Sequence, residues 1–131
     1  MDCFSLGGMV ESTLNSWQDA PWPKENIVED NLQFVVYNDG FPVTEGHLLF
    51  VPKTTEHVNI VQCFAAAMNW GKKGVEDGNY EGYNIGYNNG AVAGQTVFWP
   101  HVHLIPRRKG DVEDPRGGIR HVIPRKGNYQ V

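Results

Sequence analysis

The chain has 131 residues, 40% hydrophobic and 20% charged, with 11 Lys+Arg against 15 Asp+Glu. That size and mix suit one soluble domain that buries its core without disulfide or metal staples, and exclude a disordered, collagen-like or coiled-coil chain. The net charge of −4 hides a split: seven of the basic and three of the acidic residues fall within 106–131, leaving the first 105 residues at −8 and the tail at +4.

In chain order, the first landmark is Pro21-Trp22-Pro23, which sets off an N-terminal segment, 1–25. In that segment Met9, Val10, Thr13, Leu14 and Trp17 recur at the spacing of a short amphipathic helix. From Ile27 the texture turns to β-branched and aromatic runs, Ile27-Val28, Leu32 to Tyr37 and His47 to Val51, with Asn38-Asp39-Gly40-Phe41-Pro42 as the turn before the third. Ile60, Phe64, Ala67, Met68 and Val75 then predict a helix, its second half weakened by Gly71 and Gly74, each about 1 kcal/mol worse than Ala. Two more strands follow, near Tyr83–Tyr87 and Val97–Pro106, joined through Asn88-Asn89-Gly90 and Gly94. The order β-β-β-α-β-β predicts an α+β domain, an antiparallel sheet of about five strands with one principal helix, with a core over 26–107. Pro115, Gly117, Gly118 and Pro124 make 108–131 an irregular basic tail.

Cys3 and Cys63 are too few and too far apart for a disulfide framework or a four-thiolate zinc site, so both read as reduced thiols. The acidic start carries no secretory signal, and no run approaches the roughly 20 apolar residues that span a bilayer, so a cytoplasmic protein without a membrane partner is expected. Nucleic acid is an unsuitable partner, because the basic residues sit in one Pro/Gly-broken tail without interleaved aromatics.

The sharpest feature is Trp99-Pro100-His101-Val102-His103-Leu104-Ile105-Pro106. On a strand, Trp99, His101 and His103 share one face and Val102 and Leu104 the other. Two imidazoles side by side bind a metal, divide nucleophile and acid duties, or hydrogen-bond on a polar face.

Gly94-Gln95-Thr96-Val97, followed by the His-bearing strand and Leu104-Ile105-Pro106-Arg107, resembles the signature of the histidine-triad (HIT) superfamily of nucleotide hydrolases and transferases. Gly46-His47-Leu48-Leu49-Phe50-Val51-Pro52-Lys53 with His57, and Tyr83-Asn84-Ile85-Gly86-Tyr87-Asn88-Asn89-Gly90, resemble two further blocks of that family, so the likeness spans about residues 27–111 in order. Asp114-Pro115-Arg116-Gly117-Gly118-Ile119-Arg120 is similar to the tail of a bacterial, diadenosine-polyphosphate-hydrolase-like branch. One position departs from the pattern: Trp99 stands where the family has its first histidine, while His101 matches the middle, nucleophilic one and His103 the third.

The resemblance implies a covalent nucleotidyl-histidine intermediate on His101. His103 would bond a phosphate oxygen or protonate the departing group, and Gln95 and Thr96 would donate to charge developing at the α-phosphate. It further implies Asp39 at the ribose hydroxyls, Asn88 near the phosphates and His47 beside the triad. Trp99 either fills the space of the missing imidazole or acts as a platform against the nucleotide and a wall that dries His101. Arg107, with Arg108, Lys109 and Arg116, would draw in and hold the phosphates beyond the α position. His57 and His121 read as surface residues, and the single Cys3 does not supply the thiol pair of the family's structural zinc site, so no metal site is expected there. The chemistry calls for no cofactor beyond magnesium travelling with a polyphosphate.

The partner implied is therefore a nucleotide or dinucleoside polyphosphate, handled by a homodimer with sheets joined edge to edge. Two alternatives stand beside this enzyme: a nucleotide-binding module with little turnover because of Trp99 and Pro100, and a metal-dependent hydrolase using His101, His103 and one of His47 or His57.

Overall fold

The computed structural model describes residues 14–128. Five strands, β1 (Ile27–Asp30), β2 (Phe34–Asn38), β3 (Leu48–Pro52), β4 (Gly82–Tyr87) and β5 (Val102–Arg107), form one antiparallel sheet in the order β1-β2-β3-β5-β4. The helix α1 (His57–Glu76) connects β3 to β4 and packs on one face. Strand β5, the last in sequence, lies between β3 and β4, which carries its side chains to the middle of the sheet.

Alternation sorts the apolar residues into two cores. On the helix face, Val36, Leu48, Phe50, Val102 and Leu104 meet Cys63 and Ala67 of α1. On the opposite face Val35, Tyr37, Leu49 and Val51 pack with Trp99, and Leu14, Trp17 and Trp22 of the N-terminal segment cover them together with Ile27 of β1. All five residues of β3 are buried, because its two faces are both covered. The expectation of a single helix against the sheet is thus extended: a second layer, irregular in backbone, covers the other side.

Several element boundaries are corrected. Leu32 is 95% exposed, and β2 starts only at Phe34, because the Asn31 side chain accepts from the amides of Gln33 and Phe34 and holds a turn there. The strand expected from Val97 begins at Val102: Pro100 has no N–H for the ladder, and the pairing of β4 ends at Tyr87 with Val102. The helix expected from Met9 to Trp17 lies mostly outside the described residues, and its described end is irregular, with a short 3-10 turn at Trp17–Asp19.

The helix is present, but its buried stripe is Cys63, Ala67, Gly71 and Gly74, whereas Met68 and Val75 are 57% and 37% exposed. The two glycines have a packing reason. A Cβ on Gly71 would stand 2.9 Å from the Tyr83 ring, and one on Gly74 would overlap the end of Tyr80. Among the described residues no helix is long and apolar enough to cross a membrane.

Candidate active site

The strand alternation that buries Val102 and Leu104 under α1 turns His101 and His103 to the other face, the parity expected from the sequence. The loop between β2 and β3 brings a third imidazole beside them. His47 is 4% exposed, immediately before β3, and its backbone closes the loop by accepting from the Asp39 amide and donating to the Thr44 carbonyl. The Thr44 hydroxyl donates to the Pro106 carbonyl at 2.8 Å and ties the loop to β5.

The protons in this cluster are set by groups that have only one role to play. A carbonyl only accepts, so the 2.8 Å contact between His101 Nδ1 and the Trp99 carbonyl puts the proton on Nδ1 and leaves the lone pair on Nε2. A backbone amide only donates, so Val43 N–H, 3.2 Å from His47 Nδ1, puts the neutral His47 proton on Nε2. That proton points to His103 Nδ1 at 2.9 Å, which makes His103 an Nε2–H donor. The three rings therefore present one lone pair, on His101 Nε2, and one N–H, on His103 Nε2.

Burial favours the neutral form of all three. It pushes His103 down to about 4, helped by the nearby His101 and His47 and opposed by Asp39. It lowers His101 against the opposing effects of the Trp99 carbonyl and Asp39, and lowers His47 against Asp39. Asp39 itself is partly buried, with Oδ2 3.4 Å from His47 Nε2 and Oδ1 accepting from the Phe41 amide at 2.7 Å.

Asp39, His47 and His103 place ligand-type atoms within 4.8 Å of one another, the spacing of a metal cluster. Their protons run the wrong way for a cation. Ligation needs the Nε2 lone pair of His47, and the Val43 amide leaves that nitrogen protonated. His57, at the exposed start of α1, does not join the cluster.

The remaining sequence-predicted residues divide. Asn88 follows β4 by one residue and falls level with His101, since Tyr87 pairs with Val102. Gly86 pairs with His103, and a Cβ there would meet nothing within 4 Å, so the strand leaves open space beside the donor imidazole. Thr96 is half-buried in the connection before β5.

Three expected roles are corrected, those of Gln95, Arg107 and Arg116, and Trp99 takes the first of its two readings, filling space in the core. The Gln95 side chain accepts from the Gly90 amide at 2.7 Å and donates to the Val97 carbonyl at 3.0 Å, so it braces its own loop. Trp99 is 5% exposed and donates from its indole to the Pro52 carbonyl, which makes it a core residue with no open face for a nucleotide. Arg107 gives Nε and Nη2 to Asp111 and Nη1 to Asn84, so its guanidinium serves the fold before any phosphate. Arg116 is likewise paired with Asp114. Sequence reasoning missed the aromatic neighbour of His101: Trp22, read only as part of a chain breaker, has its ring centroid 4.9 Å from that imidazole.

The model of the HIT domain family matches residues 21–110. An uncharacterised HIT-like protein of Methanocaldococcus jannaschii is 35% identical over 101 residues, 70% of this chain and 74% of that protein. An adenylylsulfatase of Arabidopsis thaliana is 30% identical over 97 residues, 68% of this chain and 48% of its own length. A solved zinc-bound histidine triad family protein from Mycobacterium smegmatis superposes with a TM-score of 0.62 at 31% identity, over 67% of this chain and 69% of its own.

Proposed function

This chain belongs to the HIT domain family, and on that premise we propose that it is a nucleotide hydrolase or nucleotidyl transferase of the diadenosine-polyphosphate-hydrolase-like kind. The observation that carries the reading is the bond between His101 Nδ1 and the Trp99 carbonyl, which leaves Nε2 as a lone-pair nucleophile.

His101 Nε2 attacks the α-phosphorus of a nucleoside polyphosphate or phosphoramidate. A P–N bond forms, the bond to the leaving group breaks, and the electron pair departs with that group. The Nε2–H of His103 hydrogen-bonds the departing oxygen, or the nitrogen of a departing amine that takes its proton from water. Water then attacks the phosphorus, the P–N pair returns to His101 Nε2, and the nucleotide leaves with release of a proton. The partly exposed Asp39 carboxylate suits the ribose hydroxyls, and Asn88 and Thr96 suit the phosphates; no cofactor enters these steps. The same reading carries a homodimer.

The test is a panel of phosphate donors with acid-quenched intact-mass measurement. A mass gain of one nucleotide, absent in His101→Ala, is the expected result. Product formation that survives His101→Ala, with no adduct in the parent protein, overturns the proposal.

A further inference from the structure

Trp22 has no part in the steps above, yet it touches the residue that performs them. It stands between Pro21 and Pro23, whose rings restrict the backbone on both sides and preset where the indole goes. Its ring lies 4.9 Å from the His101 imidazole at an interplanar angle of 67°, edge to face, and 5.8 Å from the Tyr37 ring. Behind it is the second core, with Trp99 and Leu49, so the contact has a packed support.

A ring tethered at one nitrogen can still rotate about the tether. For His101 the tether is the Trp99 carbonyl, and the neighbouring rings are Trp22 and His103, the latter with its centroid at 5.1 Å. Edge-to-face contact has a preferred geometry and restrains that rotation. At position 99, where the family's first histidine would stand, the indole turns into the core and bonds the Pro52 carbonyl. The indole beside His101 comes instead from the N-terminal segment.

We propose that Trp22 is the positioning residue of His101: an indole from the N-terminal segment sets the plane of the imidazole, keeps Nε2 directed at the phosphate and shields the ring from water. The proposal rests on the reading of His101 as nucleophile. Trp22 acts through that ring and needs no contact with substrate.

Its loss should also be visible without turnover. The charged and titratable groups around His101 are His103 on the same strand, His47 at the entry to β3 and Asp39 after β2, with Tyr37 against Trp22. Substitution of Trp22 leaves these in place and admits water.

Trp22→Leu keeps an apolar group in the second core while removing the ring, and Trp22→Phe restores a ring. With diadenosine tetraphosphate as probe, Trp22→Leu is expected to lose about tenfold to a hundredfold in kcat, with KM changed less than about twofold. The acidic limb of kcat/KM should move up in pH toward ordinary imidazole, and Trp22→Phe should recover most of both. NMR titration of the His101 ring in the substrate-free protein should show the same upward movement and a mixed tautomer in Trp22→Leu. A folded Trp22→Leu with unchanged kcat and unchanged His101 titration overturns the proposal, as does a kcat loss that Trp22→Phe does not relieve. If the parent protein transfers no nucleotide, the nucleophile reading fails by itself, and the NMR arm still decides whether Trp22 holds the ring.

Discussion

At the scale of single residues, the site is defined by the proton positions of three imidazoles, two of them fixed by a backbone group with one hydrogen-bonding role and the third by His47. The Val43 amide, His47 and His103 form one chain, and the Trp99 carbonyl holds His101 outside it. Neutrality has a stability consequence. Folded His103, pushed down to about 4, and His101 and His47, also lowered, bind protons less readily than in the unfolded chain. Below the ordinary imidazole range the unfolded state therefore holds more protons, so stability is full above about pH 7 and is lost as pH falls toward 4. Urea midpoints should drop across that window, with His103 accounting for up to about 3 kcal/mol. His103→Asn, which does not titrate, should flatten part of the slope; an unchanged slope would refute the assignment. Elsewhere Cys63, pushed up to about 12 by burial, is an unreactive core thiol.

At the scale of elements, strand alternation was legible because each face of the sheet meets its own apolar layer. The pattern at 101–104 placed the histidines correctly even though Pro100 stops the ladder before them. Helix phase was read less well. Met68 and Val75 satisfy the period, but the packed stripe is built on small residues that let α1 approach β4, a fact visible only once Tyr80 and Tyr83 are in place. An alanine at either glycine gains about 1 kcal/mol in helix propensity and loses more to overpacking. Gly74→Ala, where the new Cβ overlaps Tyr80 and threatens its hydroxyl bond to the Trp70 carbonyl, is expected to lose a net 1–3 kcal/mol, roughly, in chemical denaturation. A stabilised Gly74→Ala would show that Tyr80 moves aside freely.

At the scale of the whole molecule, the sheet ends at β4, which pairs only with β5 among the described strands, and the outer side of α1 exposes Val58, Val61 and Met68 at 57%, 60% and 57%. An edge strand with no further strand paired to it among the described residues, beside an apolar helix face, suits the proposed homodimer with continuous sheets. Sedimentation should find a dimer in the parent protein and monomers in a Val61→Glu, Met68→Glu double variant; dimers that survive both changes would place the interface elsewhere. The opposite charges of body and tail take on a different meaning in three dimensions. Arg107 and Arg116 are matched within the tail by Asp111 and Asp114, and Arg108 donates to the Glu45 carbonyl, so much of the positive charge fastens the tail to itself and to the body.

The sequence by itself determined the sheet-and-helix class, the face carrying His101 and His103, and the likeness to one family, because periodicity and ordered motifs are local properties of the chain. Only the tertiary structure decided which histidine holds which proton, that Trp99 is core, that Arg107 and Gln95 are already engaged, and that Trp22 stands beside His101. Those facts depend on partners distant in sequence: His47 lies 56 residues from His103, and Trp99 lies 47 from Pro52. Such pairings follow from how the sheet is wound and from which layer covers each face, which no spacing along the chain reveals.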